Sequence, residues 1–131
     1  MNLDSINQFL KTGILAATKL QLTKLTPEEV LGTFEVTPSL LQPAGILNGG
    51  VSFLVAETIS SVAANTFCKT GSSCVGVEIS GNHLEAVKSG EVSVKCIPLR
   101  IGSRIQLWQV NLFREDLKLS FTANCTLLVK E

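Results

Sequence analysis

The chain has 131 residues, 45% of them apolar, with eleven basic against eleven acidic side chains and a formal net charge of zero. A length of this order builds one self-sufficient core, so residues 1–131 read as a single domain. The balanced charge excludes an electrostatic nucleic-acid binder, which needs a basic surplus, while a mean hydropathy of +0.34 excludes a disordered chain and leaves apolar surface for a subunit interface.

In chain order, residues 4–11 predict a short helix, with Ile6, Phe9 and Leu10 on one stripe. Residues 14–25 read as extended, Leu20 and Leu22 facing one way and Lys19 and Gln21 the other. Thr26-Pro27-Glu28-Glu29 fits two local structures, a turn between strands or a helix-opening capping box. Residues 31–36 alternate as a strand, and Pro38 and Pro43 then make the chain irregular up to Gly49-Gly50. From Gly49 to Phe67 the period becomes helical, with Val51, Leu54, Val55, Thr58, Ile59, Val62 and Ala63 on the predicted inner stripe. The remainder alternates with period two. Strands are expected around residues 75–79, 92–96, 104–113 and 119–130, with Glu115-Asp116 in a hairpin turn. One long helix among five or six antiparallel strands is an α+β layout in which the sheet can wrap the helix.

Several chemistries are absent from this sequence. Cys68, Cys74, Cys96 and Cys125 have no C-x-x-C spacing and His83 is the only histidine, so the cysteines read as small core residues of a reducing compartment rather than metal ligands. There is no G-x-S-x-G elbow and no glycine-rich phosphate loop. Met1-Asn2-Leu3-Asp4 lacks the basic start of a signal peptide. Residues 51–67 are interrupted by Ser52, Glu57, Ser60, Ser61 and Asn65, so they do not read as a membrane span. The expectation is a soluble, cytoplasmic protein whose chemistry runs on carboxylates, amides, hydroxyls and backbone dipoles, with no metal or organic cofactor.

Glu57 is the only charged residue between Glu35 and Lys69, in the middle of an otherwise apolar helix. Such a carboxylate either faces solvent on an amphipathic helix or is desolvated at an interface, where it becomes a stronger base. Gly49-Gly50 opens the same helix, where free backbone N–H groups favour developing negative charge. Glu57 lies roughly 12 Å along the axis from Gly49, too far for both to serve one small centre within a chain. A facing subunit would close that gap.

The run Gln42-Pro-Ala-Gly-Ile-Leu-Asn-Gly-Gly-Val-Ser-Phe-Leu-Val-Ala-Glu57-Thr-Ile-Ser-Ser61 resembles the active-site segment of hotdog-fold acyl-CoA thioesterases. Val75-Gly-Val-Glu-Ile-Ser-Gly-Asn-His83, Pro98-Leu-Arg-Ile-Gly-Ser-Arg104 and Trp108-Gln109 extend the resemblance over residues 36–129. Within the family the pattern is nearest the aromatic-acyl members, the dihydroxynaphthoyl-CoA thioesterases of menaquinone and phylloquinone biosynthesis and the enterobactin proofreading thioesterases. The resemblance implies a helix wrapped by an antiparallel sheet, a homodimer that forms the active site, assembly to a homotetramer, and an acyl-CoA substrate. It casts Glu57 as nucleophile or general base and the Gly49 N–H as the donor polarising the thioester oxygen. Gln42 would orient carbonyl or water, and Ser61 would contact the acyl group or the water. Phe53, Asn82 and His83 would line the substrate pocket, and Ser103 and Arg104 would meet the CoA arm, with Lys95 and Arg100 adding to a basic cluster. The family has histidine before its two glycines, where this chain has Asn48. Asparagine still donates a hydrogen bond but does not titrate, so the alternative is a non-catalytic or weakened acyl-CoA-binding protein.

Overall fold

The computed structural model describes residues 2–131. Helix α1 (Leu3–Phe9) leads through a 3-10 segment (Gly13–Thr18) into strands β1 (Gln21–Leu25) and β2 (Val30–Val36). The long helix α2 (Gly49–Phe67) follows, then β3 (Ser73–His83), β4 (Gly90–Ile101), β5 (Ile105–Phe113) and β6 (Leu119–Lys130). The six strands form one antiparallel sheet in the order β1-β2-β4-β5-β6-β3, so β1 and β3 are its edges. This is the α+β, helix-on-sheet arrangement expected from the sequence.

Residues 14–25 are not extended throughout. Gly13 (φ +61) turns the chain into the 3-10 segment, Lys19 (φ 56) closes it in the left-handed region, and extended backbone resumes at Gln21. The Thr18 hydroxyl donates to the Leu15 carbonyl and accepts the Leu20 N–H, a local alternative to strand pairing that alternation could not reveal. Of the two readings of residues 26–29, the turn is realised. The Thr26 hydroxyl both donates to the Glu29 carbonyl and accepts its N–H, closing the β1–β2 hairpin.

The buried face of α2 is Ser52, Val55, Ala56, Ile59, Ser60, Ala63 and Ala64. It is rotated from the predicted stripe: Val55, Ile59 and Ala63 are inside, but Val51, Leu54, Thr58 and Val62 are only half-buried. Size explains the rotation. Small side chains let the helix approach the sheet closely, and the buried Ser60 hydroxyl is satisfied by the Ala56 carbonyl. Across from them Trp108, Val110, Leu112, Phe121, Ala123, Cys125 and Leu127 complete the core. Trp108 is fully buried, with its indole N–H donating to Gln106 Oε1 at 2.8 Å.

Candidate active site

The segment between β2 and α2 is folded back on itself. The Gln42 N–H donates to the Ile46 carbonyl and the Gly45 N–H (φ +80) returns to the Gln42 carbonyl, while Leu47 and Asn48 are anchored by Val87 and Leu40 carbonyls. This delivers the chain to the start of α2, where Asn48 is the N-cap. Its Oδ1 accepts the Gly50 N–H at 2.8 Å, and Val51 N–H is taken by the Asn48 carbonyl. The Gly49 N–H has no acceptor among the described residues, so the positive end of α2 presents one free amide.

His83, the last residue of β3, stands over that amide. A Cβ on residue 49 would come within 2.8 Å of His83 Nε2, so only glycine leaves room for the imidazole. Phe53 and Phe121 hold the ring from the side, with centroids 5.5 and 5.0 Å away. Gly49, Gln42 and His83 thereby line one depression of about 320 Å³, together with Ser52, Glu85 and Ser120. Gln42 Oε1 accepts from the Ala44 N–H at 3.3 Å, which leaves the amide hydrogens of its side chain unengaged.

Glu57 lies in a different depression, also of about 320 Å³, shared with Ser61. Its side chain is exposed in the single chain, so of the two positions open to it from sequence the protomer realises the solvent-facing one. The carboxylate has no hydrogen-bond or ion-pair partner among the described residues. Its Oε1 leans over Gly76 of β3, 3.1 Å from where a Cβ would be, at the point where a register shift between Gly76 and Glu78 bends the strand. Gly76 lies inside a motif quoted from sequence, yet only the structure shows that it clears space for this carboxylate.

The remaining expected residues divide. Phe53 packs on His83 and Phe121 and lines neither depression. Asn82 is exposed on β3 opposite Thr122, outside both. Ser103 and Arg104 are exposed at the β4–β5 turn. The basic cluster thins to Arg100 and Arg104, because Lys95 Nζ pairs with Glu29 at 3.7 Å and is five residues, roughly 16 Å, away along β4. Among the described residues, no group of three or more His, Cys, Asp or Glu is placed to hold a metal ion, and no helix is long and apolar enough to cross a membrane.

The family model of the thioesterase superfamily matches residues 44–121, which contain Asn48, the free Gly49 amide, Glu57 and His83. The chain belongs to the thioesterase superfamily. It is 30% identical to the 1,4-dihydroxy-2-naphthoyl-CoA hydrolase of Escherichia coli over 96% of this chain and 93% of that protein. Its identity to the proofreading thioesterase EntH of Cronobacter turicensis is 32%, covering 88% of this chain and 85% of that one. The crystal structure of a thioesterase from Haemophilus influenzae superposes with a TM-score of 0.92 at 32% identity, over 98% of this chain and 90% of that chain. The thioesterase therefore has the hotdog fold, with α2 as the helix that the sheet wraps, and it is a thioester hydrolase by family.

Proposed function

We propose that this thioesterase hydrolyses an aromatic acyl-CoA to the free acid and CoA at a site shared between two subunits. The observation that carries the reading is the pair of uncommitted groups on α2, a free Gly49 N–H at the helix start and an unpaired Glu57 carboxylate two turns on. The Gly49 amide receives the thioester oxygen as negative charge develops on it, with the Gln42 amide and His83 beside it in the same depression. Glu57 of the facing subunit takes a proton from water as its oxygen adds to the carbonyl carbon, or attacks that carbon itself. The C–S bond then breaks and CoA leaves as the thiolate; in the nucleophilic route the acyl group stays on Glu57 as an anhydride until water cleaves it and frees the acid. The naming of one relative for a naphthoyl-CoA substrate supports an aromatic acyl group.

Dimerisation is supported by the separation of the two depressions and by the free edge of β3, where Val75 and Val77 are 45% and 59% exposed. A further apolar ladder, Val75 opposite Leu128 and Leu128 opposite Ile105, crosses three strands on the outer sheet surface and supports assembly to a tetramer. Four free cysteines with no disulfide fit a cytoplasmic setting. The experiment is thiol release from benzoyl-CoA and palmitoyl-CoA, with benzoyl-CoA expected to have the higher kcat/KM. Equal or better turnover of palmitoyl-CoA overturns the aromatic preference. CoA-ester binding without thiol release from any ester favours instead a binding protein, a reading motivated by Asn48 in place of histidine.

A further inference from the structure

The buried face of α2 intersperses the small Ser52, Ala56, Ser60 and Ala64 with Val55 and Ile59, and leaves the larger Leu54 and Val62 half-buried on the outer side. Those outer residues face the N-terminal segment. Leu15, Leu54 and Thr58 line the depression that holds Glu57. A second depression of about 300 Å³ adjoins it, lined by Ile6, Asn65 and Thr66. Phe9, Ser61 and Val62 line both, so the two are halves of one trough between α1 and α2.

Beyond Glu57 the trough offers almost no free polarity. The hydroxyls of Thr58 and Thr66 donate to the Leu54 and Val62 carbonyls. The Asn65 amide donates to the Ser61 and Cys74 carbonyls and accepts the Cys74 N–H. Ser61 alone keeps an unengaged hydroxyl, and no cation lines either half. Such a surface suits an uncharged, largely apolar group and not the phosphates of CoA, which need cationic partners. From Glu57 to Thr66 the helix rises roughly 13 Å, longer than a single ring requires.

We infer that this trough is the acyl channel of the proposed thioester site, that it accepts acyl groups extending past one ring, and that Phe9 sets how far they reach. The inference rests on the reading that places the thioester carbonyl at Glu57. Phe9 stands where the two halves meet and is 58% exposed, so its truncation removes a partition rather than a core support.

The experiment compares kcat/KM for benzoyl-, 2-naphthoyl- and decanoyl-CoA in the parent, Phe9→Ala and Phe9→Trp, with sedimentation of each. Phe9→Ala is expected to raise the naphthoyl/benzoyl and decanoyl/benzoyl ratios about tenfold, and Phe9→Trp to lower both, as changes of pocket depth do. Ratios that stay within about twofold of the parent in both variants overturn the channel while leaving thioester hydrolysis standing. Unchanged ratios with dissociation of the Phe9→Ala oligomer overturn it too, by assigning Phe9 to a subunit contact. Absence of thiol release from every ester in the parent overturns the thioesterase reading itself, and the channel falls with it.

Discussion

Asn48 joins stability and chemistry in one side chain, and substitution can separate them. Its carboxamide oxygen caps α2 through the Gly50 N–H, so Asn48→Ala is expected to lower stability by about 1 kcal/mol in denaturant melts. Asn48→Asp keeps an acceptor and adds a negative charge at the positive helix end, so it should melt no lower than the parent. Its turnover should nevertheless fall, because that charge opposes the one developing on the thioester oxygen beside Gly49. Turnover and melting that move together across both variants would show that capping is the whole role of Asn48. Gly49 gives a second residue-scale test. Alanine there places a methyl carbon 2.8 Å from His83 Nε2, and the imidazole must shift while the residue 49 N–H is retained. Misplacement of this kind is expected to cost about a hundredfold in kcat/KM, with circular dichroism unchanged.

At the scale of elements, sequence and structure part company where side-chain size and local hydrogen bonding override periodicity. The bounds of α2 were legible because the period changes sharply at Gly49-Gly50 and the run ends near Phe67. Its inner face was legible only in part, at Val55, Ile59 and Ala63, because hydrophobicity ranks Leu54 and Val62 above Ser52, Ala56, Ser60 and Ala64, which close packing selects. The 3-10 segment escaped for a related reason, since Gly13 and Thr18 act through backbone conformation and a hydroxyl. Glu57 and the opening glycines stood out from sequence, whereas the role of Gly76 did not, because the approach of β3 to α2 is a property of pairing. The reading of the cysteines as core residues holds for Cys74, Cys96 and Cys125, while Cys68 is half-buried at the end of α2. Burial pushes the Cys74 and Cys125 thiols up to about 11 and that of Cys96 up to about 12. Ellman's reagent at pH 8 should therefore titrate Cys68 rapidly at most, and all four thiols only after unfolding. The linked effect on stability follows from the sign: thiols raised in the folded state stabilise it fully below the unfolded value near 8.5 and lose that contribution as pH rises toward 11 and 12. Melting temperature should accordingly decline from pH 9 upward, and a flat profile would contradict the burial of these groups.

At the scale of the whole molecule, the separation of Gly49 from Glu57 becomes a statement about assembly. The free amide and the free carboxylate are on one helix but open into different depressions, so on the proposed mechanism a single protomer has two half-sites and no whole one. The β3 edge lies beside both halves, carrying His83 at its end and Gly76 under Glu57, and its unpaired backbone needs covering. A two-fold axis that joins such edges would give each chain's Gly49 to the other's Glu57. Mixed variants test this directly. Glu57→Ala should abolish turnover in its own homodimer, because base or nucleophile roles contribute ~100-fold or more, and the Gly49→Ala homodimer should be nearly inactive for the reason given above. Unfolded together and refolded in equal amounts, the two form heterodimers in which one site carries both defects and the other carries neither. Random pairing makes half of the dimers mixed, so about a quarter of parental activity should return in a two-fold assembly. The refolded mixture would be assayed on one aryl-CoA against each variant refolded alone. Recovery no greater than the sum of the two separate activities would mean that Gly49 and Glu57 act within one chain, and the shared-site mechanism would have to be given up.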